Sequence, residues 1–438
     1  MKGGEQVMTV HKMDDGLDED AVKRLRKLQQ RDTNPYKFIL VGKEKTDIKQ
    51  NSIYNIERIL EIDPILKDSF QYNDFTSEID VIKDIPTLHI KQGYMIDDYY
   101  TEIASYIEKS SKYQHILFDD RRIRNAVLVV AREHHYNPII DYMKEALKQW
   151  DHTPRLDTVL YTYLGVEPTE IVAYITKLFF TGVVAKIFNP KTKFDYVLDL
   201  VGGQGAGKTT FLQKIAPLGY YTDQFTSFDN KDDYAVMRRA VIINDDEMTA
   251  TANASFETLK KFITLQEFEY RKPYGHQAER FAKHFVMART TNELYYLKDK
   301  TGERRFLPVM VNRDRQLQNP VEDLTPEVVQ QLWGEAVDLY QNQKFSFKID
   351  DQMQQQLDEH RESFMYTDEI EDRIEELLSN ELRGFNFITS KKIGELLDID
   401  LNREHKIANR ISNIMINRFH FKKGNKRVDG QMTRGYLR

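Results

Sequence analysis

Between residues 36 and 150 the apolar positions recur at helical spacing, with Ile53, Ile56, Ile59 and Leu60 in one run and Ile103, Tyr106 and Ile107 in another. Apolar residues three and four apart make one face of a helix, so this stretch predicts a helical N-terminal domain over 35–150. From 151 to 345 the pattern changes to short apolar runs alternating with amphipathic segments. Runs at 196–201, 240–244, 284–288 and 306–311 read as strands, and 171–180, 208–215 and 256–263 read as helices. That alternation predicts an α/β fold of three layers around a mainly parallel sheet. A Gln-rich, charged stretch follows, giving an expected linker at 346–366. From 367 to 438 the order is helix (369–379), short strand (385–388), helix (390–397), helix (403–417) and a hairpin around 423–430, which is the order of a winged helix-turn-helix. Residues 1–34 carry glycines and mixed charge and read as a flexible arm.

Composition narrows the chemistry. With 438 residues and 40% apolar positions the chain has material for two or three cores, which excludes wholesale disorder. The longest apolar span, 175–188, is interrupted by Lys177 and Lys186, so no membrane helix is expected. Residues 1–20 lack the apolar segment of a secretory signal, and a cytoplasmic location is expected. There is no cysteine, so thiolate catalysis and Cys-based metal sites are excluded and any metal is expected to be bound by oxygen. The net charge of −6 hides a local imbalance: from 401 to 438 there are ten basic residues against two acidic ones. Arg403, Lys406 and Arg410 fall on one side of the expected recognition helix, and Lys422, Lys423, Lys426 and Arg427 on the hairpin, a distribution suited to DNA phosphates.

The sharpest signal is Gly202-Gly203-Gln204-Gly205-Ala206-Gly207-Lys208-Thr209-Thr210, placed after an apolar strand and before a helix. This is the G-x-x-x-x-G-K-[ST] pattern of a P-loop: glycines let backbone N–H groups surround a phosphate, Lys208 reaches the β- and γ-phosphates of ATP, and Thr209 is a Mg²⁺ ligand. A P-loop needs an acidic strand end nearby, and 240–243 leads into Asn244-Asp245-Asp246-Glu247. Period-two alternation puts Asn244 and Asp246 on one face, so Asp246 is the expected metal ligand, with Asp245 the alternative and Glu247 the group that polarises the attacking water. Asn292 ends a further strand and is a candidate to orient that water. Arg304 and Arg305 precede the last strand as candidate arginine fingers.

These residues, with Trp150-Asp151, Pro154-Arg155-Leu156-Asp157, the run 259–264, Tyr270-Arg271-Lys272-Pro273-Tyr274-Gly275 and Gly302-Glu303-Arg304-Arg305-Phe306, resemble the virulence-associated protein E family over about 99–311. The resemblance implies a phage or mobile-element AAA+ ATPase related to superfamily 3 replicative helicases, working as a hexamer with ATP and Mg²⁺ on DNA. It also implies that Arg271, Lys272, Tyr274 and His276 sit on a hairpin that grips single-stranded DNA in the ring's pore. The family often has an acidic residue where Asn244 stands, and the upstream primase module many members carry is not found here. The competing expectation is an ATP-switched DNA-binding regulator that separates no strands.

Overall fold

The computed structural model describes residues 34, 36–270, 277–297, 303–365, 369–399, 407, 411–412, 414–428 and 431–438. The chain divides into two compact units, residues 1–145 and 146–438.

The first unit adds a sheet to the expected helical domain. Alongside helices α1 (Ile53–Ile62), α2 (Asp97–Lys109) and α3 (Asp120–Glu133) it contains a short pair, β1 (Leu40–Val41) with β2 (Asp47–Ile48). It also contains a four-stranded sheet in the order β5-β4-β3-β6, made of β3 (Phe70–Asn73), β4 (Glu78–Val81), β5 (Gly93–Tyr94) and β6 (His135–Tyr136). Apolar residues of α1, α3 and β3, among them Ile56, Ile59, Phe70, Ile123 and Val127, form one core. The acidic pairs of this unit serve helix starts: Asp119 accepts from the Arg121 N–H at 2.8 Å, and Asp97 and Asp120 both pair with Arg124.

In the second unit, β7 (Val197–Val201), β8 (Tyr221–Thr222), β9 (Ile242–Asp245), β12 (Val286–Thr291) and β13 (Phe306–Met310) form a sheet in the order β13-β7-β12-β9-β8. Every neighbouring pair in it is parallel. Parallel strands are covered on both faces, which is why β7 and β12 are buried at every position, including the charged Asp199 and Arg289. The helix α4 (Glu170–Phe188) is the one described helix long and apolar enough to cross a bilayer, yet 72% of that stretch is buried within the protein. Helix α5 (Lys208–Ile215) comes after β7, and α6 (Phe256–Thr264) after β9. Helix α4 packs on the sheet and against α7 (Pro326–Gln341). The strands β10 (Glu267–Tyr270) and β11 (Glu279–Ala282) form a separate antiparallel hairpin.

The expected linker is instead part of this unit. Helix α8 (Asp351–Glu362) buries Leu357 and Arg361, and His360 Nε2 lies 2.8 Å from the Pro308 carbonyl on β13. Beyond it come α9 (Glu369–Ser379), β14 (Phe387–Ile388), α10 (Ser390–Leu396) and the hairpin of β15 (Lys422–Val428) with β16 (Gln431–Leu437), whose sheet runs β14-β16-β15.

Candidate active site

The sheet ends its parallel strands at one edge, and the polar residues that follow β7, β9 and β12 gather there. Open parallel sheets carry ligands at this edge because the chain leaves the apolar core and helix N-termini face it. After β7 the chain turns through Gly202 to Gly207, and α5 begins at Lys208. Gly205 and Gly207 have φ of +75° and +76°, a conformation costly to any residue with a Cβ. The first N–H groups of α5, which follow this loop, lack intrahelical partners. Gly203 and Gln204 are exposed, Ala206 is buried and Thr210 is half-buried.

Two hydrogen-bonded groups converge on this loop. In the first, Asp246 Oδ1 accepts from Thr209 Oγ1 at 2.8 Å, Thr290 Oγ1 at 2.7 Å and Asn244 Nδ2 at 3.2 Å. In the second, the buried Lys208 ammonium donates to the Gly202 and Gly203 carbonyls and to Asn292 Oδ1 at 2.8 Å. The Asn292 amide in turn donates to both Glu247 carboxylate oxygens at 3.0 and 3.1 Å. Burial lowers the Lys208 pKa from its usual range, while Glu247 and Asp246 oppose that shift. Thus five residues nominated from sequence, Lys208, Thr209, Asp246, Glu247 and Asn292, meet in two networks linked through Thr290.

The alternative ligand Asp245 is engaged elsewhere. Its buried carboxylate accepts from the Ala250 and Thr251 N–H groups, each at 2.8 Å, and from Thr251 Oγ1 at 2.6 Å, so it caps the following helical turn rather than facing Thr209. Burial raises its pKa. The turn after the two aspartates is strained: Glu247 and Met248 have φ of +52° and +51°. Left-handed conformations at consecutive non-glycine residues cost about 1–3 kcal/mol each and are held by the contacts on either side. The turn brings the Glu247 carboxylate to Asn292, and the Glu247 N–H donates to Thr290 Oγ1 at 3.1 Å.

The donor set fits a magnesium-bound triphosphate. Among the described residues there is no group of three or more His, Cys, Asp or Glu side chains that could hold a metal by themselves. One carboxylate and one hydroxyl 2.8 Å apart beside a phosphate cradle is the sparse protein contribution typical of Mg²⁺, whose other ligands are phosphate oxygens and water. Asn244 adds a buried carbonyl oxygen, Oδ1, with no hydrogen-bond partner among the described residues, two residues from Asp246.

The family profile described as the virulence-associated protein E-like domain matches residues 143–366, just over half of the chain. The chain belongs to that family. The virulence-associated protein E-like domain thus begins close to the boundary between the two units and ends just after α8, so it takes in the whole parallel sheet. Among solved structures, the A-form apo structure of the NrS-1 C-terminal region shares 14% identity, covering 68% of this chain and 74% of that one, with a TM-score of 0.35. A further apo structure of the same region shares 16% identity, covering 68% and 75%, also with a TM-score of 0.35. No curated protein gave a match.

The remaining nominated residues of this virulence-associated protein E-like chain lie elsewhere. Arg304 and Arg305 occupy a 3₁₀ turn at the start of β13, where Phe306 is opposite Val197 and Met310 opposite Val201. They are therefore at the N-terminal edge of the sheet, roughly 16 Å of strand from the P-loop. There, with Lys193, Asp195, Tyr196 and Lys348, they line a cavity of about 300 Å³. Lys422, Lys423, Lys426 and Arg427 are exposed on β15. Arg271, Lys272, Tyr274 and His276 lie outside the described residues, although the flanking strands β10 and β11 pair as a hairpin should. Arg403, Lys406 and Arg410 also lie outside them. Sequence reasoning missed Thr290 and Tyr221, whose hydroxyl accepts from Asn244 Nδ2 at 3.0 Å. No motif marks either: each is an ordinary strand residue until the sheet sets it beside Asp246.

Proposed function

We propose that this chain is a P-loop ATPase of the AAA+ type, related to superfamily 3 helicases, that uses ATP hydrolysis in a ring of copies to move along DNA and separate its strands. The observation that carries this reading is the convergence of Lys208, Thr209, Asp246, Asn292 and Glu247 on one loop. A structural turn has no need of a buried ammonium, a hydroxyl–carboxylate pair and a second carboxylate within hydrogen-bond reach of one another.

In this reading Lys208 and the backbone N–H groups of 205–208 hold the β- and γ-phosphates of ATP, and Thr209 and Asp246 hold Mg²⁺. When bound, the metal neutralises charge on the phosphoryl oxygens. Thr290 and Asn244 fix the Asp246 carboxylate, whose Oδ1 they both reach. Glu247 takes the proton of the attacking water, and Asn292, bonded to both Glu247 and Lys208, sets the carboxylate's orientation relative to the phosphate. Residues 367–438 are read as a winged helix, with its basic hairpin on duplex DNA, and the β10–β11 hairpin as the element that contacts single strands. The absence of cysteine accords with work in a reducing cytoplasm.

The test is ATP turnover and strand release on a forked duplex. Lys208→Ala and Glu247→Gln are each expected to abolish DNA-stimulated ATPase and unwinding. Wild-type unwinding by either variant refutes the assignment. ATP turnover with assembly on DNA but no strand release favours the ATP-switched regulator instead.

A further inference from the structure

The chain leaving β13 does not depart from the site. Val311 N–H donates to the Val201 carbonyl at 2.7 Å, Asn312 N–H donates to the Leu164 carbonyl at 3.0 Å, and Asn312 Oδ1 accepts from the Asp314 N–H at 3.0 Å. A short turn, 313–315, results, and two contacts clamp the next segment, 316–320, onto the P-loop. Gln316 Nε2 donates to the Ala206 carbonyl at 2.8 Å, and Pro320 lies so close that a Cβ on Gly207 would come within 2.5 Å of its ring. Held in this way, Arg313 Nη1 stands 3.7 Å from where a Cβ on Gly205 would be.

The charge state of this turn is uneven. Arg315 pairs with Glu167 at 3.8 Å, whereas Arg313 is exposed and has no ion-pair partner among the described residues. A guanidinium placed beside a phosphate cradle without a carboxylate is free to meet phosphate oxygens, its best-matched acceptors.

The sheet order says which phosphates. The P-loop follows β7, which lies between β13 and β12. Asn292 follows β12, and Asp246 and Glu247 follow β9 beyond it, so the hydrolytic groups are all on one side of the loop. Arg313 follows β13 and approaches from the other side. We infer that Arg313 is a further nucleotide-binding residue, which holds the diphosphate part of ATP or ADP from the side of the P-loop opposite the hydrolytic carboxylates. The inference rests on the nucleotide site proposed above and adds a residue that neither the motif nor the resemblance includes.

The experiment is equilibrium titration of the full chain with fluorescent ADP and with a fluorescent non-hydrolysable ATP analogue, in magnesium buffer. Losing one charge-assisted phosphate contact is expected to weaken Arg313→Ala binding of both nucleotides by the same factor, about tenfold. Arg313→Lys is expected to recover part of that loss by keeping the charge, and Arg315→Ala to bind as wild type. Wild-type affinity of Arg313→Ala for both nucleotides overturns the inference. Weakening confined to the triphosphate overturns it too, because that result places the guanidinium at the γ-phosphate. Failure of the wild-type chain to bind either nucleotide is a different outcome and sinks the nucleotide site itself.

Discussion

The sheet that organises the site is crossed by a buried row of charge, and removing one member has a calculable cost. Arg289 on β12 sits opposite Asp199 on β7 and opposite Asp245 on β9. Arg289 and Asp199 are 2% and 0% exposed and form a two-pronged pair, with Nε to Oδ1 at 2.8 Å and Nη2 to Oδ2. Tyr296 O–H also donates to Asp199, and the guanidinium lies over the Phe306 ring at 3.9 Å. Asp199→Asn preserves shape and leaves the arginine charged in a dry site. Breaking a buried pair from one side costs about 3–5 kcal/mol, and the residual attraction of Asp245 argues for the lower end, about 3 kcal/mol. Removing both charges with Asp199→Leu and Arg289→Met is expected to recover most of this. Urea unfolding followed by tryptophan fluorescence suits the test, since both tryptophans, Trp150 and Trp333, lie in this unit and Trp333 is buried. Because the pair joins the strand before the P-loop to the strand before Asn292, nucleotide affinity should fall along with stability. The reasoning is refuted if Asp199→Asn unfolds within about 1 kcal/mol of wild type, or if the double variant is no more stable than the single one.

Local geometry sets two further outcomes. Gly207→Ala places a Cβ in a left-handed residue 2.5 Å from Pro320, so loss of ADP binding and destabilisation by about 1–3 kcal/mol are expected; wild-type affinity in a titration would contradict both effects. The fully buried Lys283 donates to the Phe262 and Ile263 carbonyls at the end of α6, and burial, with the Lys186 charge beside it, lowers its pKa from 10.5 to about 7. Between pH 7 and 10.5 the unfolded chain then holds a proton at this site that the folded chain does not, so this residue's contribution to stability rises with pH through that window and is lost below it. Lys283→Met should flatten that rise in urea midpoints measured from pH 6.5 to 9.5, and parallel pH profiles for the two proteins would refute the shift.

What is legible in the sequence divides along physical lines. The strands of the parallel sheet are readable because both faces are buried, giving apolar runs at 196–201 and 240–244 that end within two residues of β7 and β9. The loop 202–209, Asp246, Glu247 and Asn292 stand out in the sequence because each follows a strand-like run. The sheet of the first unit is hidden: its strands have two to four residues, too few to display alternation, and β3 buries only its end residues Phe70 and Asn73. Helix α8 has the sequence character of a linker because only Leu357 and Arg361 of its twelve residues are buried. Alternation along the strand separates the faces of Asp245 and Asp246 but does not show what holds each one. Their different surroundings come from the left-handed turn at Glu247 and Met248 and from the helix that Asp245 caps, neither of which has a local signature.

The distance between the two polar edges of the sheet leads to the last prediction. Lys208 and Glu247 are at the C-terminal ends of parallel strands, while Arg304 and Arg305 precede the N-terminal end of β13. A five-residue strand spans roughly 16 Å, more than an extended arginine reaches, so these guanidinium groups do not reach the 202–209 loop of their own chain. If they act in hydrolysis at all, they act on a second copy, through a head-to-tail contact of the kind that closes into rings. Lys208→Ala then has intact arginines and a dead P-loop, while a chain carrying Arg304→Ala and Arg305→Ala has the reverse. Each alone should be inactive, but an equal mixture that assembles at random should form about a quarter of its interfaces with one intact P-loop facing intact arginines, and DNA-stimulated ATPase should return to about that fraction of wild type. A mixture as inactive as its components, under conditions where exchange of labelled subunits is demonstrated, refutes a role for the arginines between copies. An arginine-deficient chain that is fully active alone removes them from the reaction altogether.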